Sequence, residues 1–142
     1  MKNTFLFLIF FLLMIACQPK QEKNSVTSDV IASTAVIEVY DFHVTNRCMT
    51  CRAIEDNARQ TLTKYFKEEL QSGIIAFQVV NVDLSENAAL AEQFQAYGSS
   101  LYLKINKDNK SEIVNLTDFA FMNAMNEESF QTELKSKIQT YL

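Results

Sequence analysis

The sequence predicts an α/β fold of three layers around a mixed β-sheet, with elements in the order β-α-β-α-β-β-α. Three observations point to it. Four short segments are rich in β-branched and aromatic residues, as strands are. Stretches of 3.6-residue apolar spacing separate the first three of them. The last two are separated only by Asn106-Lys107-Asp108-Asn109-Lys110, a turn. Right-handed crossovers predict parallel pairing early in the chain, and the late hairpin predicts an antiparallel edge.

The first strand is expected over residues 35–44, where Val36-Ile37-Glu38-Val39-Tyr40-Asp41-Phe42-His43 runs mostly apolar, as in a strand covered on both faces. From Cys51 the period changes: Ile54, Ala58, Leu62, Tyr65, Phe66 and Leu70 share one helical face, and Gly73 stands where a helix C-terminus needs it. Residues 74–82 form the second strand. Ser85 is expected to cap a short helix holding Leu90, Phe94 and Tyr97, closed by Gly98. Residues 101–105 and 112–116 are the third and fourth strands. Asp118 is a candidate cap for a short helical piece, and Asn126 with Glu127 and Glu128 opens a final helix that buries Phe130, Leu134, Ile138 and Tyr141. Tyr40, Phe42, Phe66, Phe77, Phe94 and Phe119 are expected in the core. The cluster Phe121, Met122 and Met125 is read first as core, with a partner surface as the other reading.

The chain has 142 residues, enough for one domain with its own core, and a formal net charge of −4. It carries no basic stripe, which argues against a nucleic-acid partner. Residues 1–16 read as a targeting segment: Lys2 supplies the positive start, and Phe5 to Ala16 is an apolar run of 12 residues, too short to span a bilayer. The run ends in Met14-Ile15-Ala16-Cys17, which resembles a bacterial lipobox. That resemblance implies cleavage before Cys17, lipid on its sulfur, and stable membrane attachment in the cell envelope, facing the periplasm or the exterior. Residues 17–33 are polar, include Pro19, and read as a flexible tether. The folded domain is expected over residues 34–142.

With Cys17 lipidated, Cys48 and Cys51 are the remaining thiols, and a framework of structural disulfides is excluded. They stand in Arg47-Cys48-Met49-Thr50-Cys51-Arg52, where a predicted strand gives way to a predicted helix. The unpaired N–H groups and dipole of a helix N-terminus favour a thiolate, and Arg47 and Arg52 push the same way. Two uses follow. One is a reversible dithiol, with Cys48 attacking and Cys51 resolving. The other is a soft-metal site for Cu(I) or As(III), which two thiolates suit. A purely structural staple is poorly motivated, since a four-residue ring removes little loop entropy. The redox reading takes precedence. His43, the one histidine, is either a strand-end side chain packing on its neighbours or a further ligand or proton shuttle. Met49 is read as a loop side chain rather than a ligand. Asp41 is either buried near the cysteines, where a carboxylate helps move protons, or turned to solvent.

Across residues 34–142 the chain resembles the thioredoxin superfamily. A closer resemblance is to small bacterial thioredoxin-like lipoproteins named the ArsF family. It is carried by Val39-Tyr40-Asp41-Phe42-His43 leading into Arg47-Cys48-Met49-Thr50-Cys51-Arg52-Ala53-Ile54-Glu55, by Tyr97-Gly98-Ser99-Ser100-Leu101, and by Asn115-Leu116-Thr117-Asp118-Phe119-Ala120 running into Asn123-Ala124. The resemblance implies an accessory subunit for nitroaromatic reduction with ties to organoarsenical resistance, while the redox reading of the cysteines calls for a protein redox partner at the membrane to supply or remove electrons. No residue here marks a flavin, nicotinamide or other cofactor site. A thioredoxin carries an aromatic residue before its first active-site cysteine, Gly-Pro between the pair, and a cis-proline facing it. Here those places hold Arg47, Met49-Thr50, and Ser99 or Ser100, because the single proline is Pro19 in the tether.

Overall fold

The computed structural model describes residues 35–142. The expected signal segment, Cys17 and the tether lie outside the described residues. Among the described residues the sheet has four strands: β1 (Ile37–His43), β2 (Ile75–Asn81), β3 (Ser100–Lys107) and β4 (Lys110–Asn115). Among the described residues the α-helices are α1 (Met49–Tyr65), α2 (Lys67–Ser72), α3 (Ala88–Phe94), α4 (Thr117–Asn123) and α5 (Glu127–Gln139), with a 3₁₀ turn at Ser85–Asn87. The α/β class and the mixed sheet are as the sequence predicts.

The strand order is β2-β1-β3-β4. β1 and β2 run parallel, with Val39 beside Phe77 and Phe42 beside Val80. The expected parallel pairing stops there. β3 lies on the other side of β1 and runs antiparallel to it, with Val39 beside Leu103 and Phe42 beside Ser100. The chain leaves β2 and starts β3 at the same end of the sheet, so the connection through α3 turns over that end instead of travelling back along the strands. A parallel neighbour needs the full return. β4 closes the expected antiparallel hairpin through Asp108 (φ 52°) and Asn109 (φ 60°). Two consecutive left-handed residues of these types match the right-handed twist of paired strands.

Alternation along β1 divides the core. Ile37 and Val39 face Ile54, Ala58 and Leu62 of α1 and Phe130, Leu134 and Ile138 of α5. Tyr40 and Phe42 face the other way and pack with Phe94 of α3, Tyr102 and Val80. Helices therefore cover both sheet faces. The second face also holds a buried carboxylate, Glu38, which accepts from Lys104 Nζ at 2.8 Å, Asn106 Nδ2 at 2.7 Å, the Tyr40 hydroxyl at 2.6 Å and Gln78 Nε2 at 3.2 Å. Burial pushes its pKa up, but the hydrogen bonds from Lys104, Tyr40 and Asn106 together hold it below the ordinary value.

The expected long helix is broken at Phe66 (φ −135°, ψ 34°), which leaves the helical register and buries its ring in the core. Gly73 then ends α2 at φ 77°, the left-handed position expected of it. Ser85 opens a 3₁₀ turn and makes no side-chain cap, and α3 ends at Gln95 (φ 53°) rather than at Gly98. Asp118 lies inside the first turn of α4, whose cap is Leu116. Asn126 caps α5 as expected, accepting from Ser129 N at 3.1 Å. Phe77 and Phe119 are only partly buried at the core's margin. The apolar cluster after β4 is not core: Met122 is 83% exposed, Met125 67% and Phe121 41%. α4 has seven residues and covers the sheet with Ala120, which leaves those side chains facing outward.

Candidate active site at the Cys48–Cys51 disulfide

The loop of residues 44–48 carries the chain from β1 to α1. It is tied down on one side by Thr45, whose N–H donates to Asp83 Oδ2 at 2.7 Å and whose hydroxyl accepts from Asn81 Nδ2 at 3.1 Å. The bonds from Thr45 hold Asp83, an exposed carboxylate, below its ordinary pKa. The loop ends at Cys48, the N-cap of α1, in extended conformation (φ −73°, ψ 166°). Its Sγ accepts from Cys51 N at 3.1 Å, and its carbonyl accepts from Arg52 N at 3.1 Å. The first turn of α1 contains no acidic side chain, so nothing there offsets the positive end of the helix dipole.

Cys48 and Cys51 are joined as a disulfide, with Cα atoms 5.1 Å apart. The two sulfurs are in unequal surroundings. Cys48 is exposed at the cap, while Cys51 is 8% exposed, one turn inside the helix.

Asp41 lies in the sheet beneath the start of α1, 2% exposed. Arg47 joins it to the cysteine turn. Arg47 Nη2 donates to Asp41 Oδ2 at 3.1 Å and to the Cys51 carbonyl at 3.2 Å, and Nη1 binds Glu55. Glu55 also accepts from Arg59 at 2.7 Å, so an alternating chain of charge runs Asp41–Arg47–Glu55–Arg59. Burial pushes the Asp41 pKa up to about 7. The Arg47 guanidinium pulls it down, and the Glu55 carboxylate pushes it up again. Burial wins because Arg47 is shared between two carboxylates. For Glu55 burial raises the pKa, but bonds from Arg59 and Arg47 bring it below the ordinary value. The Nε of Arg47 is buried and has no hydrogen-bond partner among the described residues.

The remaining expected residues are placed as follows. His43 is half-buried at the end of β1, and its Nδ1 donates to the Val44 carbonyl at 2.9 Å. Arg52 is exposed. With Arg47, Met49, Ala53 and Asp56 it lines a shallow depression of about 460 Å³ beside the pair. Ser100 is buried at the start of β3, pairs with Phe42, and donates to the Gly98 carbonyl at 3.1 Å, while Ser99 is half-buried. No peptide bond among the described residues is cis. Among the described residues no three His, Cys, Asp or Glu side chains gather as a metal-holding group. Glu55 and Arg59 are members of the site that reading the sequence for chemistry did not pick out. Their signal was the i, i+4 Glu–Arg spacing on the helix that the cysteines open.

No family profile and no curated protein matches the chain. A solved structure described as "Structure of a malarial protein" is 16% identical, with a TM-score of 0.40, over 65% of this chain and 96% of that one. A likeness that slight says nothing about this chain's fold or chemistry.

Proposed function

We propose that this chain is a membrane-tethered, extracytoplasmic thiol–disulfide protein of thioredoxin-like architecture. The observation that carries the reading is the asymmetry of the cysteine pair. One sulfur is exposed at a helix N-cap without acidic neighbours in the first turn, and the other is buried one turn later. The first environment stabilises a thiolate and admits a partner, and the second shields a resolving thiol.

In the reduced protein the Cys48 thiolate attacks one sulfur of a partner disulfide. A Cys48–partner bond forms, and the partner's other sulfur leaves as a thiolate. Cys51 then loses its proton and attacks Cys48 Sγ, releasing the second partner thiolate and forming the Cys48–Cys51 disulfide. The partner gains two electrons and the pair loses two. Asp41, whose carboxyl titrates near neutrality and is linked through Arg47 to the Cys51 carbonyl, is suited to take up and return that proton. Arg47 orients this carboxylate and steadies the first turn of α1. A protein redox partner in the envelope supplies or removes the electrons, and lipid on Cys17 keeps the domain at the membrane.

The test is a redox titration of the pair against glutathione. Exchange at a defined potential within roughly −100 to −330 mV, the span of known dithiol proteins, is expected. A pair that stays oxidised or stays reduced throughout that span would sink the proposal.

A further inference from the structure

The geometry points to a second surface, away from the cysteine chemistry: the edge of β2 left unpaired among the described residues pairs antiparallel with β2 of a second copy of this chain. The two-fold axis passes beside Gln78, and Phe77 of each copy lies opposite Val79 of the other.

The main-chain groups of β2 alternate between the sheet and its free edge. Ile74 O accepts from Val36 N at 2.9 Å and Ile37 N at 3.1 Å, and Val82 N donates to His43 O at 2.8 Å. Residues 74 and 82 therefore turn their main-chain groups toward β1, and by the period of two so do 76, 78 and 80. Phe77 and Val79 turn theirs outward. Among the described residues nothing bonds to those outward groups, whereas the end of the strand is closed by Leu84 N and Asn87 Nδ2 on the Asn81 carbonyl. β2 is an outer strand of the sheet.

Edge strands are ordinarily guarded by charge, proline or a bulge. The opposite edge is guarded: β4 carries Lys110 and Glu112, both exposed. The β2 edge is not. From Ile74 to Val82 the sequence is Ile-Ile-Ala-Phe-Gln-Val-Val-Asn-Val, with no charged residue and no proline.

A second copy fits this edge for three reasons. First, a two-fold axis brings the groups beside it, Gln78 foremost, near their own duplicates, and a strand without charge is one that tolerates this. Second, with the axis at Gln78, the outward residue on each side meets the outward residue of the other copy. Phe77 and Val79 of the second copy then exchange both main-chain bonds, and so do Val79 and Phe77 of the second copy. Third, the side chains agree with the main chain. Phe77 and Val79 share the α1 face of the sheet. Phe77 is half-buried beneath the Arg59 guanidinium, 5.0 Å from its ring centre. Beside it a depression of about 380 Å³ is lined by Arg59 and Thr63 together with Leu62, Leu70, Ile75 and Phe77. Val79 is 36% exposed. In this register Val79 of the second copy lies against Phe77 at the mouth of that depression, and each copy covers the other. Such pairing consumes both β2 edges and, among the described residues, leaves only the charged β4 edges outward, so assembly stops at two chains.

The test is sedimentation equilibrium of the full chain in detergent over roughly a hundredfold range of concentration, since dimerisation follows mass action. Hydrogen exchange is followed residue by residue at both ends of the range. The expected result is a protein mass that doubles with concentration, with exchange at the Phe77 and Val79 amides slowing about tenfold or more as it does. Val79→Lys puts a charge beside the axis and should stay single at every concentration. Val79→Pro removes an N–H that bonds nothing within the described residues, so the β1 pairing survives, and it should also stay single. Circular dichroism verifies the fold of both variants. Three outcomes overturn the proposal: one mass at all concentrations with Phe77 and Val79 exchanging freely, doubling that persists in both variants, or growth beyond two chains.

Discussion

Arg47 donates to Asp41 across 3.1 Å, and the same nitrogen holds the Cys51 carbonyl at 3.2 Å, so a buried sheet carboxylate and the cysteine turn share one guanidinium. This has a consequence for pH. Burial raises Asp41 from 3.8 to about 7, so the folded chain holds a proton there that the unfolded chain has already lost. Stability from this group is full below about pH 4 and falls as pH rises toward about 7. A tenfold difference in proton affinity between the folded and unfolded chain corresponds to about 1.4 kcal/mol, which makes the total a few kcal/mol at most. Denaturant unfolding of the wild type should show this decline across the window, and Asp41→Asn should flatten it. Glu38 and Glu55 have lowered pKa values and act in the opposite sense, losing their contribution only in more acidic solution.

Replacing Arg47 should expose what the guanidinium compensates. Arg47→Met leaves Asp41 buried with no cation beside it and frees Glu55 on one side. An uncompensated buried charge costs about 3–5 kcal/mol, unless the group takes up a proton instead. The loss of stability should therefore be small in mildly acidic buffer and grow above neutrality. A loss independent of pH would show that packing, and not charge, is what Arg47 supplies.

The unequal burial of the sulfurs predicts an unequal trap. Cys51→Ser should accumulate a mixed disulfide with a model disulfide substrate at Cys48, because the resolving sulfur is gone. Cys48→Ser should accumulate roughly tenfold less, since Cys51 is 8% exposed. Mass spectrometry of the quenched adducts measures both. Equal trapping at the two positions would remove the assigned order of attack.

On the other face of the sheet, Lys104 is the cation for buried Glu38, at 2.8 Å. Lys104→Met should destabilise the fold by about 3 kcal/mol, because it strands the carboxylate. Lys104→Met combined with Glu38→Gln should recover part of that loss. A double-mutant cycle by thermal unfolding separates the pair's coupling from each single cost.

Gly73 offers a purely local test. A methyl at its Cα meets nothing within 4 Å, but its φ is +77°. Gly73→Ala should cost about 1 kcal/mol in thermal or denaturant unfolding, all of it backbone conformation, with the cysteine chemistry untouched.

Relations between near neighbours along the chain were enough to place the local elements and the pair of sulfurs. Apolar periods located all four strands and the amphipathic faces of α1 and α5, and Asn126 and Gly73 marked helix ends, because caps and periods depend only on adjacent residues. The same reading put Cys48 and Cys51 at a strand–helix junction, where helix N-terminal physics applies to whatever stands there. What remained was set by closure of the fold. The antiparallel placement of β3 depends on which end of the sheet α3 crosses. The exposure of Phe121, Met122 and Met125 depends on how short α4 is over the sheet. The setting of Asp41 depends on Arg47 reaching it from the loop and on Glu55 reaching Arg47 from α1. Such relations join residues well apart in the chain, from Asp41–Arg47, 6 positions apart, to Glu38–Asn106, 68 apart. Composition and spacing carry no distance across a fold. Burial, charge pairing and strand order exist only once the chain has closed on itself.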